Sequence, residues 1–111
     1  MVWKILDSIS DFDELVEKSV SDPSATFVVF KHSSRCSISD AAKGRMEREW
    51  ESVNPSVAVY FLDLITYREL SNYIASKIGV KHESPQLVII SKGKCIADYS
   101  HFEIRPSCIQ L

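Results

Sequence analysis

Cys36 is the residue in this chain best placed to do chemistry. It stands in the run Val28-Val29-Phe30-Lys31-His32-Ser33-Ser34-Arg35-Cys36-Ser37-Ile38-Ser39, where an apolar segment ends, a polar loop follows and a helix-like stretch begins. A cysteine at that junction holds its sulfur near the free N–H groups and positive pole of a helix, which favours thiolate over thiol. The thiolate is the form that attacks disulfides. Ser33, Ser34, Arg35, Ser37 and Ser39 are polar, so the sulfur is expected to reach solvent rather than fill a core, and Lys31, His32 and Arg35 add positive charge. Three positions on stands Ser39, not a second cysteine. Any redox chemistry here therefore starts from one sulfur.

Other residues are candidates for supporting that sulfur. Ser39, one helical step on, is placed to donate a hydrogen bond to the thiolate. Arg35 is placed to supply field or bind an anion, and His32 to polarise the site or move a proton. Ser84-Pro85 precedes the apolar run Gln86-Leu87-Val88-Ile89-Ile90, where a proline lacking its ladder N–H suits a strand's first residue or a bend. Lys81 and His82 lead into it, and His101 follows the last apolar segment; these three are candidate ligand contacts or plain surface charges. Cys95 and Cys108 are read as structural, with a resolving role for either a lesser alternative.

The elements needed to position these groups are legible as periodicities. Trp3 to Leu6 is a short strand. Ser10 is placed to cap a helix through Phe12, Leu15, Val16 and Ser19. Thr26 to Phe30 is β-branched and aromatic, a buried strand. Cys36 to Glu51 is a helix whose stripe is Ile38, Ala41, Ala42, Met46 and Trp50, with Arg45 facing out and Ser33 or Ser34 as cap. Gly44 sits mid-helix, where close packing is one explanation. Val57 to Leu62 is a continuous apolar run, expected to be covered on both faces. Thr66-Tyr67-Arg68-Glu69 has the form of a capping box, and Gly79 that of a helix end. Lys92-Gly93 joins Leu87–Ile90 to Cys95–Tyr99 as an antiparallel hairpin. Residues 104–111 form a short helix or tail, with Pro106 suited to a first turn. The order β-α-β-α-β-α-β-β implies one domain over 1–111: an α/β fold with a mixed central sheet and helices on both faces.

Composition narrows the function. Thirteen Lys+Arg against fifteen Asp+Glu give a net charge of −2, with no basic surplus for nucleic acid or an anionic membrane. Three cysteines without C-x-x-C spacing argue against a zinc site or a disulfide framework and for reduced thiols. The first residues lack a signal-peptide pattern, and no apolar run is long enough to span a bilayer. A cytoplasmic monomer with no bound cofactor or metal is expected.

Taken together, these residues resemble the monothiol bacilliredoxins, the YtxJ-like proteins of bacillithiol-using bacteria, over nearly the whole chain. The resemblance is carried by Phe30-Lys31-His32-Ser33-Ser34-Arg35-Cys36-Ser37-Ile38-Ser39, Leu70-Ser71-Asn72-Tyr73-Ile74, Gly79-Val80-Lys81-His82-Glu83-Ser84-Pro85-Gln86 and Ser100-His101. The family's loop typically reads Thr-Cys-Pro-Ile-Ser. Here Arg35 replaces the threonine and Ser37 the proline, which frees an N–H near the sulfur. The resemblance implies a thioredoxin-like fold, a cis Ser84–Pro85 bond facing Cys36, and a substrate thiol, bacillithiol, removed from mixed disulfides on client proteins. Alternatives are a general monothiol oxidoreductase using glutathione, an iron–sulfur carrier, and a non-catalytic redox-sensing module.

Overall fold

The computed structural model describes residues 1–110. The last position of the expected tail, Leu111, lies outside the described residues. Five strands, β1 (Trp3–Ile5), β2 (Phe27–His32), β3 (Ala58–Asp63), β4 (Gln86–Ser91) and β5 (Lys94–Ser100), form one sheet in the order β1-β3-β2-β4-β5. β1 and β2 run parallel to β3, while β4 is antiparallel to β2 and to β5. The helices are α1 (Ile9–Ser21), α2 (Ser37–Val53) and α3 (Arg68–Ile78). Two 3-10 turns, His101–Glu103 and Pro106–Cys108, follow β5.

Strand alternation splits the core in two. Phe27 and Val29 of β2, with Val88 and Ile90 of β4, point to the face packed by Phe12 of α1 and by Leu70 and Ile74 of α3. Val28 and Phe30, with Leu87 and Ile89, point to the face packed by Ala42, Met46 and Trp50 of α2 and by Ile104 and Ile109 of the C-terminal segment. β2 and β4 are buried along nearly their whole length, because each has a strand on both sides and a layer on both faces. The 58–63 run, expected to be the covered strand, is only half-buried at Tyr60 and Phe61. Its outer neighbour β1 has three residues, too few to shield it.

Several local expectations shift. The cap of α1 is Ser8, whose Oγ accepts the Asp11 N–H at 3.1 Å, and not Ser10. Neither Ser33 nor Ser34 caps α2; Cys36 itself is the N-cap residue. Thr66 belongs to a turn built by Asp63, whose carboxylate accepts the Ile65 and Thr66 N–H groups and the Thr66 hydroxyl, and α3 starts after Tyr67. The buried stripe of α2 is Ser39, Ala42, Met46 and Trp50, while Ile38 and Ala41 are exposed. Gly79 ends α3 at φ 70°, and Lys92 and Gly93, both at positive φ, turn β4 into β5 as the Lys-Gly pair requires.

Gly44 is not a close-packing site. A Cβ there would meet only the guanidinium end of Arg48, an exposed and movable side chain, at 2.8 Å. Gly44→Ala is therefore expected to raise stability by up to about 1 kcal/mol, the usual gap between the two residues inside a helix. An unchanged or lowered urea midpoint would contradict this.

Candidate active site

The strand directions bring four segments to one end of the sheet. Lys31 near the end of β2 pairs with Gln86 at the start of β4, and Gln86 with Ser100 at the end of β5. His32 pairs with Asp63 at the end of β3. The Ser33–Cys36 loop, Ser84–Pro85 and His101 therefore emerge together. The Ser84–Pro85 peptide is cis. A concavity of about 360 Å³ at the other end, between α1 and the starts of β2 and β3, holds no thiol or histidine.

Cys36 is half-buried, its thiol free, at the N-cap of α2. An N-cap side chain ordinarily accepts an N–H from the second or third helical residue, which here are Ile38 and Ser39. Among the described residues, the N–H groups of Ser37, Ile38 and Ser39 have no hydrogen-bond acceptor. Cys36 makes no such side-chain bond, so it stands beside an uncapped helix N-terminus whose positive end favours negative charge.

Ser39 does not serve the sulfur as expected. It is fully buried, its Oγ accepts the Ser33 N–H at 3.0 Å, and it lies 2.7 Å from His32 Nδ1. In the neutral tautomer that turns Nε2–H to the Asp40 carboxylate 3.5 Å away, Nδ1 accepts a hydrogen bond from the Ser39 hydroxyl. Burial is the main cause that lowers the His32 pKa; Asp40 and Asp63 oppose it and Lys43 assists. His32 packs between the Phe30 and Phe61 rings, 5.9 and 5.3 Å from their centroids. His32 and Ser39 therefore hold the Cys36 loop against α2 from behind.

The second group of expected residues divides. Arg35 and Lys81 are exposed. The Lys81 carbonyl accepts Gln86 Nε2 at 2.9 Å, which pins the segment leading to Pro85. His82 is half-buried with Nδ1 3.3 Å from Ser71 Oγ, and its pKa is lowered by burial, then by Lys31 and Arg68. Its ring thus faces α3 rather than open solvent. His101 is half-buried, its Nε2 is 3.9 Å from a Glu83 oxygen, and its N–H donates to the Pro85 carbonyl at 3.2 Å. Ser84 Oγ is buried and has no partner among the described residues.

The comparisons with known proteins agree with this geometry. The sequence pattern of the family described as "Monothiol bacilliredoxin BrxC" matches residues 4–109. The chain belongs to the monothiol bacilliredoxin family. A solved candidate oxidoreductase with a thioredoxin fold is 31% identical, covers 96% of this chain and 88% of its own, and superposes with a TM-score of 0.78. Fasciola hepatica thioredoxin (19% identity, TM-score 0.65, 95% and 90% of the two chains) and mitochondrial thioredoxin 3 of Saccharomyces cerevisiae (15%, 0.67, 96% and 88%) share the fold. Its family makes this chain a thiol–disulfide oxidoreductase, and it shares the thioredoxin fold of those neighbours, with a mixed five-stranded sheet and three helices.

Two features of the site escaped the sequence reading. Lys31, by sequence a nearby positive charge, is 1% exposed and donates to the Ser71 carbonyl at 3.2 Å. Its position one residue before His32 places it on the α1/α3 face by alternation, a signal that was available. Arg45 was expected to face solvent, yet it is half-buried and donates to two backbone carbonyls, a contact 56 residues away in sequence that no local pattern announces.

Burial lowers the Lys31 pKa to about 8. Between that value and the ordinary one near 10.5, the unfolded chain binds more protons than the folded one. The Lys31 contribution to stability therefore rises with pH across that window and is most unfavourable below it. Lys31→Met is expected to stabilise the fold at pH 7 by about 1–3 kcal/mol and to flatten the rise between pH 8 and 10.5. Urea unfolding of both proteins at pH 7 and pH 10 checks this, and a variant less stable than wild type at pH 7 refutes it. Ser39→Ala strands the Ser33 N–H and His32 Nδ1 and is expected to cost about 1–3 kcal/mol, read as a lowered Tm.

Proposed function

We propose that this protein removes bacillithiol from mixed disulfides on client proteins by exchange at Cys36. The Cys36 thiolate attacks the bacillithiol sulfur. The client–bacillithiol S–S bond breaks as the Cys36–bacillithiol bond forms, and the electron pair leaves on the client sulfur, which takes a proton from solvent. A second thiol then attacks the Cys36-bound disulfide and restores the free thiolate. The client cysteine is reduced to a thiol as Cys36 is oxidised to the mixed disulfide, and the second thiol, attacking the bacillithiol sulfur, leaves with it as a new disulfide.

The observation that carries this reading is that the antiparallel β2–β4 pairing brings Cys36, at the open start of α2, and Ser84 to the same end of the sheet. The Ser84 N–H and C=O make no hydrogen bond among the described residues. Such an edge can pair with an extended ligand as a strand would. The carboxylates of the bacillithiol malate call for cations, and the exposed Arg35 and Lys81 suit them. His32 and His82 are already engaged with Ser39 and Ser71. Three free thiols fit work in the reducing cytoplasm. Bacillithiolated clients and bacillithiol are the partners of this reading.

Intact-mass analysis after mixing the reduced protein with a bacillithiolated client tests it. The expected result is a bacillithiol adduct on Cys36 matched by release of the client thiol, lost in Cys36→Ser and kept in Cys95→Ser and Cys108→Ser. Faster release from a matched glutathionylated client would instead make this a glutathione-directed enzyme. Arg35→Ala with Lys81→Ala is expected to raise KM several-fold for the bacillithiolated client and little for the glutathionylated one.

A further inference from the structure

A chain of hydrogen bonds joins the helix that begins at Cys36 to the segment that bears Pro85. Arg45 lies on α2, two turns beyond its start. Its Nη2 donates to the His101 carbonyl at 2.9 Å and its Nε to the Ile104 carbonyl at 3.0 Å. The His101 N–H in turn donates to the Pro85 carbonyl at 3.2 Å. One guanidinium thus grips both ends of the His101–Ile104 segment, using the planar fork that a lysine lacks. Arg45 makes no salt bridge among the described residues, so its charge is spent on backbone carbonyls.

His101 itself is in an unusual state. Its φ is 53°, in the left-handed region that residues with a Cβ seldom adopt. It is held there from several sides: by Pro85 at its N–H, by Arg45 and the Ile104 N–H at its carbonyl, and by Glu83 at its ring. Ile104, gripped beside it, is fully buried against the α2 face. A strained residue over-determined by contacts next to a reacting centre points to a functional constraint.

We propose that Arg45 is a positioning residue for exchange at Cys36: through the His101 backbone it fixes the Pro85 segment at a set distance from the sulfur at the start of α2. This inference rests on the reading that the mixed disulfide docks along Ser84, beside Pro85. Arg45 touches neither the substrate nor the sulfur. It acts on where the docked disulfide lies relative to the attacking atom, and misplacement on the order of 1 Å can cost about 100-fold in rate.

The experiment compares wild type, Arg45→Lys and Arg45→Met by steady-state release from a bacillithiolated client and by alkylation of Cys36 with iodoacetamide. The alkylating reagent needs the sulfur but not the docking edge. In Arg45→Met, kcat/KM is expected to fall roughly tenfold or more with the alkylation rate unchanged, and Arg45→Lys, which keeps one donor, is expected to fall between. A kcat/KM equal to wild type in folded Arg45→Met overturns the proposal, as does a parallel fall in alkylation. Should Arg45→Met not fold, the same two rates in Arg45→Lys decide, since its exchange must fall while its alkylation does not. A wild-type protein that releases no bacillithiol refutes the function instead; the same variants on a glutathione mixed disulfide then still report on Arg45.

Discussion

The antiparallel pairing of β2 with β4 is the constraint on which the site depends. With Lys31 opposite Gln86, the strand that leads into Cys36 ends where the strand that follows Pro85 begins. A parallel pairing would put the two loops at opposite ends, separated by the length of a six-residue strand, about 20 Å. The register is set by burial: Val28 and Phe30 must meet Ile89 and Leu87 on the α2 face, and a slip of one residue would turn all of them the wrong way. The two apolar strands at the centre of the sheet thus place a thiol and a proline-bearing bend side by side.

The same end of the sheet gathers polar groups that the core tolerates only with partners. Lys31 lies on the α1/α3 face and His32 on the α2 face, so consecutive residues send a cation and an imidazole to opposite sides. Each finds a serine-bearing helix: Lys31 reaches the Ser71 carbonyl of α3, and His32 reaches the Ser39 hydroxyl of α2. Gln86 is buried opposite Lys31 in the β2–β4 register, and its Oε1 has no partner among the described residues. The structure accepts this cost where β2 stops and reactive loops begin, and nowhere along the inner apolar lengths of β2 and β4.

Much of this was legible in the sequence. Period-2 and period-3.6 patterns located every strand and helix to within a few residues, and the junction of an apolar run with a helix start singled out Cys36. The resemblance read from the two motif blocks agrees with the family match and with the fold. What escaped was tertiary. Ser8 and Ser10 are equally good caps by type, and only the backbone at Ser8 decides between them. Ser39 looks like a thiolate donor from its spacing, but the buried His32 ring competes for its hydroxyl. Arg45 occupies an outward position on a helical wheel until the C-terminal segment folds over it.

Two sulfurs described above carry a further consequence. Cys95 lies at the beginning of β5, the far pole of the sheet from Cys36, and Cys108 sits in the final 3-10 turn packed on α2. Burial pushes the pKa of both thiols upward, which favours the protonated form over the thiolate. In the proposed exchange at Cys36, unloading that sulfur then falls to a thiol from outside the molecule. On that reading each cycle ends with Cys36 occupied, and the occupied fraction at steady state gauges how quickly the outside thiol arrives.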